Sequence, residues 1–434
     1  MLVAGAWLTA ALISSVIGLC QYFGVEHLFA FMSTANPGEA IANLRQRNQF
    51  ATLTNIGLIA LLWWVVRTQS SAPPTPMRRS WAWLLAAALV ALGNAASSSR
   101  TGLVQLVLIA VVAWLWWGRR HPGVRQVLAA VIVSYALGSL LLPSLAGLDS
   151  ASYGILSRLQ NPGPSCTSRL TLWANVLHLI SMRPWLGWGW GELDYAHFMT
   201  LYERPRFCEI LDNAHNLPLH LAVELGIPFA LLTCGGLAWL IARSKPWQES
   251  DDARRLAWGV IAIILLHSML EYPLWYGPFQ MAIGLSVALL WTAPSNSPVP
   301  AADGHEVSHV AWWQAILGTS LIAAAAYAAW DYHRISQIYR DPEQRAPAYR
   351  NNTLEKIKPL WLFRDQVNFA EFTLSKLNRD NAPRLNPMAH ESLHYPPAAR
   401  GRDGLGPGRW RQGNDGGRPR QAPGLDRRQR QGRG

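Results

Sequence analysis

Long apolar blocks separated by polar loops set the pattern of this chain. Apolar windows of about 17 to 25 residues, enough to cross a hydrocarbon core about 30 Å thick, recur nine times. They fall at 2 to 23, 50 to 66, 81 to 96, 102 to 118, 126 to 146, 217 to 242, 256 to 270, 276 to 292 and 310 to 330. The pattern predicts an all-α, polytopic integral membrane protein with about nine transmembrane helices and one large exported loop. The seventh and eighth windows are short and hinge on Glu271 to Phe279, so a bent or re-entrant pair fits them as well. The first window lacks a basic n-region and a small-residue cleavage site, which predicts a retained helix rather than a signal peptide.

This divides the chain into transmembrane helices at 1–146, a large polar loop at 147–216 and transmembrane helices at 217–330. A helical segment at 331–382 follows and is expected on the exported face. It carries Tyr332, Ile335, Ile338 and Tyr339 at helical spacing, then Phe363, Val367, Ala370, Phe372 and Leu374. From 383 to 434 the composition turns to Arg, Gly, Pro and Gln. Such a tail cannot bury enough apolar surface to offset its chain entropy, and disorder is expected there.

Composition agrees with the membrane class. Half of the residues are hydrophobic and 15% are charged, against roughly a quarter charged in soluble domains. Many of the 22 tryptophans stand at window ends, as in Trp63-Trp64 and Trp116-Trp117, where an amphipathic ring suits the headgroup layer of membrane lipids. The net charge of +12 comes largely from loop arginines and the tail, so no nucleic-acid partner is expected.

Short cytoplasmic loops retain Lys and Arg. Arg67, Arg78 and Arg79, then Arg119, Arg120 and Arg125, then Arg243, Lys245, Arg254 and Arg255 mark three loops on one side. The loops at 24 to 49, 97 to 101, 147 to 216 and 271 to 275 then face the other side, as does everything after Trp330. In a bacterial inner membrane that side is the periplasm. Arg45, Arg47 and Arg100 sit on the disfavoured side and call for a functional explanation. Cys166 and Cys208 share the large loop, where an oxidising compartment would allow them to pair.

The polar stretch ends at Asp212-Asn213-Ala214-His215-Asn216, which places a titratable base at the bilayer edge. Arg158, Arg169, Arg183, Arg204 and Arg206 precede it. A base beside fixed cations suits an anionic, lipid-borne substrate. No Walker-type phosphate loop and no repeat of 20 to 50 residues occurs.

The segments Asn43 to Ala51, Ser98 to Gly102, Arg169 to Trp173, Pro184-Trp185-Leu186-Gly187-Trp188-Gly189, His215-Asn216 with Glu224-Leu225-Gly226, and His267 to Tyr276 carry a resemblance. In this order they resemble the bacterial protein O-oligosaccharyltransferases of the PglL, pilin-glycosylating type, within the superfamily of O-antigen ligases and polymerases. The resemblance covers roughly residues 1 to 375 and implies further spans ahead of the first one here. It also implies transfer of a preassembled glycan from undecaprenyl pyrophosphate to Ser or Thr of exported, pilin-like proteins.

Pyrophosphate is a good leaving group, so this chemistry needs cations on the departing charge and a base for the acceptor hydroxyl. His215 is the expected base, with Arg169 and Arg100 on the phosphate oxygens. Gln46, Gln49 and Tyr272 are expected substrate contacts, with Tyr276 an alternative to Tyr272. No Asp-x-Asp pair occurs in the exported loops, so neither a metal nor another cofactor is expected.

Each residue has a plainer reading. His215 could cap a helix, Arg169 and Arg100 could anchor anionic lipid, Gln46, Asn48 and Gln49 could satisfy loop backbone, and Tyr272 and Tyr276 could be belt aromatics. A sugar-accepting ligase or polymerase is the alternative function. A transporter would place ionisable groups near the bilayer midplane, whereas here they gather at one face.

Overall fold

The computed structural model describes residues 1–28, 32–70, 77–161, 164–291, 304–375 and 378–393. These residues form helices, turns and loops and no strand. The chain divides into two compact units, Met1–Ala301 and Ala302–Gly434.

The first unit begins with α1 (Leu2–Tyr22), α2 (Arg47–Ser70), α3 (Met77–Ser97), α4 (Arg100–Ala113) and α5 (Pro122–Leu145). α4 runs on through a π-helical turn at Trp114–Gly118. α2 is the central member: its apolar window is 89% buried, against 33% for α1 and 39% for α5. It packs against α1, α3 and α4. Small residues allow close approach, as membrane helices require. A Cβ on Gly57 would stand 2.1 Å from that of Ala11, and one on Gly93 would stand 2.6 Å from the Ser15 hydroxyl.

The polar loop is a folded body. It contains α6 (Gly154–Gln160), α7 (Arg169–Met182) and α8 (Leu193–Met199), and it closes on α9 (Leu217–Leu225). Leu172, Val176, Leu179, Leu193, Phe207 and Leu211 form a core of their own there. Cys166 and Cys208 are disulfide-bonded across it, with Cα atoms 5.5 Å apart.

The predicted span at 217 to 242 is corrected. α9 stops at Leu225, and a separate helical run starts with α10 (Ile227–Ala230), passes a π-helical turn at Leu231–Gly235 and continues as α11 (Gly236–Ser244). The break is at Gly226, whose φ of +90° is open chiefly to glycine. A Cβ there would lie 2.1 Å from the Trp185 carbonyl oxygen. Opposite it, Gly187 has φ +68°, and its Cβ would lie 2.3 Å from the Glu224 carbonyl oxygen. Two backbones therefore cross in contact. Trp188 N–H donates to Val223 O and Gly189 N–H to Glu224 O, both at 2.9 Å, and Ile227 N–H donates to Pro184 O at 2.8 Å. This crossing explains why glycines recur in the Pro184–Gly189 segment.

α12 (Asp252–Ser268), a 3₁₀ turn at Pro273–Trp275 and α13 (Gly277–Trp291) complete the unit as a bent pair. α12 also packs against α2 and α4. Among the described residues, five helices are long and apolar enough to cross a membrane: Leu2–Tyr22, Arg47–Gln69, Arg100–Gly118, Pro122–Leu145 and Ile227–Gln248. The apolar stretches Trp81–Ser97 and Gly277–Trp291 are shorter, as is α12 at 17 residues. Nine windows were expected, and three of them map onto these shorter helices.

A set of polar side chains inside the bundle is joined by hydrogen bonds, which a slab without water favours. Gln105 Nε2 donates to Ile263 O at 2.9 Å, and its Oε1 accepts from Thr52 at 3.1 Å and from Asn55 at 3.0 Å. Thr52 also meets His267 Nδ1 at 2.8 Å.

The second unit holds α14 (Gly304–Ser336), α15 (Thr353–Ile357), α16 (Arg364–Leu374) and α17 (Ala382–Leu393). Its small core joins Ile335, Ile357, Leu360 and Val367. The ninth window, 310 to 330, lies inside α14, which continues unbroken into the segment expected to be separate. α17 is helical where the tail was expected to lose order. Leu385 is buried and Arg384 pairs with Glu371 at 3.1 Å, contacts that composition does not reveal. The rest of the expected tail, 394–434, lies outside the described residues.

Gly187→Ala and Gly226→Ala are each expected to cost on the order of 3 kcal/mol, because positive φ and a backbone clash act together. Thermal melting of the detergent-solubilised protein checks this, with Gly235→Ala, which meets nothing within 4 Å, as the neutral control.

Candidate active site

Glu271 follows α12 and is 6% exposed. Three other segments converge on its carboxylate. His215 Nδ1 lies 2.6 Å from Oε2, and Asn48 Nδ2 donates to Oε1 at 3.1 Å. The Arg169 guanidinium bonds Oε1 as well. Burial pushes the Glu271 carboxyl up, but the hydrogen bond and charge of His215, with the charges of Arg169 and His267, outweigh it and hold the pKa at about 2. The group is therefore an acceptor only. That assigns the hydrogen between the two residues to His215 Nδ1 and leaves Nε2 as the ring's basic nitrogen.

Local sequence explains the convergence. His215 sits in the left-handed region at φ +50°, a conformation that histidine tolerates better than most residues. Its N–H donates to Asn213 Oδ1 at 2.9 Å. Asn216 caps α9 by accepting from Leu219 N–H at 3.1 Å, and its amide donates to Met269 O at 3.0 Å. The His-Asn pair thus starts a helix and fastens it beside Glu271. Ser168 caps α7 by accepting from Thr171 N–H at 3.1 Å, which puts Arg169 first in that helix. Ser99 likewise caps α4 at 2.9 Å from Gly102 N, with Arg100 next.

Arg100 stands one step outside the Glu271 cluster. It donates to the main-chain carbonyl of Arg158, and Arg158 donates to Ser98 O at 2.8 Å. Ser99 joins this edge to the centre, because its hydroxyl donates to Asn48 Oδ1 at 2.6 Å. Burial, joined by the charges of Arg47 and Arg100, lowers the Arg158 pKa to about 10. Like charges held together in this way favour an anion between them.

The remaining expectations divide. The Tyr272 ring meets His215 edge-on, with centroids 4.9 Å apart, and Tyr276 packs behind it at 5.9 Å; Tyr272 is the nearer to the imidazole. Gln46 takes the plainer role, since its Oε1 accepts from Gln49 N–H at 2.7 Å at the start of α2. The Gln49 side chain is buried, and its Oε1 has no hydrogen-bond partner among the described residues. Arg183 lies over the Trp188 ring at 4.2 Å, and Arg206 donates to His197 O at 2.7 Å, so both fold the loop. His220 Nε2 stands 3.6 Å from Glu224. Burial pushes Glu224 up to about 7 and, with the His215 charge, pushes His220 down to about 4. Both are driven toward neutral forms, so this is no ion pair.

Glu271, Asn48 and Arg158 were not among the residues expected to form the site. For Glu271 the available signal was a carboxylate at the very end of an apolar window, where an ionisable group needs a reason. Nothing comparable marked Asn48.

Three family models match the chain: an O-Antigen ligase model over residues 85–234, a Protein glycosylation ligase model over 40–65, and a "Virulence factor membrane-bound polymerase, C-terminal" model over 255–402. Each of these matches spans less than half of the chain, and they make it similar to the O-antigen ligases over 85–234. The chain is also similar to proteins named O-oligosaccharyltransferases. Two relatives from Acinetobacter baylyi carry that name. A General O-oligosaccharyltransferase is 25% identical over 288 residues, 64% of this chain and 48% of the relative. A ComP-specific O-oligosaccharyltransferase is 26% identical over 285 residues, 65% of this chain and 49% of the relative. The chain thus spans about half the length of these curated relatives. No solved structure matches it.

Because its pKa is depressed, Glu271 contributes stability that is fully present above the ordinary carboxyl value of 4.5 and is lost as pH falls toward about 2. The predicted loss across that window is on the order of 3 kcal/mol. Melting curves from pH 6 to pH 3 should be markedly flatter in Glu271→Gln than in the parent chain.

Proposed function

We propose that this protein transfers a preassembled glycan from a polyprenyl pyrophosphate carrier, undecaprenyl pyrophosphate, to Ser or Thr of exported, pilin-like proteins. The reaction takes place at the outer face of the bacterial inner membrane. The observation that carries the reading is the meeting of His215, Arg169 and Asn48 on Glu271, with Tyr272 against the imidazole. The Cys166–Cys208 disulfide fits an exported, oxidising side.

In this mechanism His215 Nε2 takes the proton of the acceptor hydroxyl as that oxygen attacks the anomeric carbon. The bond from that carbon to the pyrophosphate breaks, and its electron pair leaves with the phosphate oxygen. Glu271 holds the imidazole in the tautomer that exposes Nε2 and stabilises the imidazolium that forms. Arg169 spends one donor on Glu271, and a guanidinium has five, so others are open to phosphate oxygens. Arg100 and Arg158 extend the cationic edge for the second phosphate.

A sugar-accepting ligase would use the same donor side. The O-Antigen ligase match over 85–234 favours that second reading, whereas the protein glycosylation match over 40–65 favours a protein acceptor.

Co-expression with a lipid-linked glycan and an exported Ser-rich acceptor tests the proposal. His215→Ala should lower acceptor glycosylation by about 100-fold or more while membrane insertion is retained. Glycosylation by His215→Ala at the parent level would rule out the assigned base. Modification of a lipid-A-like sugar acceptor in place of the protein would move the reading to the ligase.

A further inference from the structure

The segment that carries His215 has no regular structure of its own. From the end of α8 at Met199 to the start of α9 at Leu217 the chain is irregular, and a connection of that length keeps one conformation in a compact body only where other elements pin it. Much of the pinning comes from α7 and the turn before it. Asn175 Nδ2 donates to Pro205 O at 3.1 Å, and its Oδ1 accepts from Phe207 N–H at 2.8 Å. The Trp173 indole N–H donates at 3.0 Å to the carbonyl of Ala214, the residue before His215. Between these points Cys208 is bonded to Cys166, and its N–H donates to Cys166 O at 3.3 Å.

The disulfide is the covalent tie of this set, and water competes for the hydrogen bonds but not for it. Cys166 lies in the 3₁₀ turn Ser165–Thr167, directly ahead of the α7 cap at Ser168 and of Arg169. Thr171 Oγ1 donates to Ser165 O at 2.7 Å, which ties that turn to the helix. Cys208 stands between Phe207 and Leu211, whose side chains are buried in the loop core. The crosslink therefore joins a short tether to the Arg169 guanidinium with a short tether to the His215 imidazole, and both groups end on Glu271. Cys208 is exposed, so a reductant can reach it.

We propose that the Cys166–Cys208 disulfide is a positioning device for the candidate active site: it holds Arg169 and His215 in one geometry around Glu271, and the oxidised chain is the competent form. The proposal deepens the transferase reading, on which it rests for the reaction but not for the geometry.

The test compares the full chain in nanodiscs with Cys166→Ser/Cys208→Ser, first by melting from pH 6 to pH 3. A crosslink that only stabilises the fold lowers Tm by the same amount at every pH when it is removed. One that sets the pairing of Glu271 loses part of its contribution as that carboxylate is protonated. The gap between parent and variant should therefore narrow toward pH 3, and in a Glu271→Gln background it should not change with pH. Transfer is the second readout. Loss of the disulfide should lower kcat/KM about tenfold, and in an Arg169→Ala background by less than about twofold. Dithiothreitol, which gives two electrons and two protons to the bond and itself closes to a cyclic disulfide, should produce the same loss in the folded parent and none in the serine variant. Reduction of the folded chain keeps the test open if the serine variant fails to fold. A gap that does not change with pH, an equal loss with and without Arg169, or full activity in the reduced chain would overturn the proposal. A gap that narrows with pH in a chain that transfers no glycan keeps the positioning role and removes the transferase reading.

Discussion

One buried carboxylate decides where four distant segments of this chain meet. An ionised Glu271 inside protein is costly unless each oxygen is paired. Its oxygens are met by Asn48 from the start of α2, Arg169 from the start of α7 and His215 from the turn before α9. Loss of any one partner leaves charge uncompensated, so folding the site and setting its protonation are a single event. The same pairing fixes which imidazole nitrogen is basic, a detail on which general-base chemistry depends.

The arginines express a second constraint. α2, α4 and α7 each begin on an arginine, Arg47, Arg100 and Arg169. A cation at a helix N-terminus opposes the helix dipole and lowers stability. Arg47 is relieved by Glu39 at 2.7 Å and Arg169 by Glu271, while Arg158 is held near Arg100 and Arg47. Helix N-termini and guanidinium groups aimed at one place make a poor structural arrangement and a good anion site.

The helical membrane class was legible because hydrocarbon thickness imposes a length on apolar windows. The spans were less so. Windows report apolarity, and the boundary at Gly226 is set by a backbone crossing with Trp185 that no window contains. His215, Arg169 and Tyr272, singled out by residue type, come together around Glu271. Gln46 and Asn48 could not be told apart, since adjacent amides in one loop differ only in where the start of α2 points them. One became a cap and the other a ligand of Glu271. Arg183 and Arg206 carried the same charge signal as Arg169. Their roles in packing Trp188 and holding the turn after α8 depend on tertiary contacts.

His215 and Arg169 belong to one folded body, and Glu271 follows a helix of the bundle. α7 and α9 share the loop core, and the Gly187–Gly226 crossing locks α9 to the Pro184–Gly189 strap. His215 and Arg169 therefore keep a fixed relation. This body is fastened to the end of α12 at two neighbouring points, His215 to Glu271 and Asn216 to Met269. Under the proposed transfer, a lipid-borne donor would meet a water-borne acceptor at such an arrangement. The groups that position the anion must be anchored in the helices that hold the lipid, and the groups that meet the hydroxyl must be carried by a body that faces the water. A rigid joint between the two keeps the reacting atoms in register when the substrates arrive from different phases.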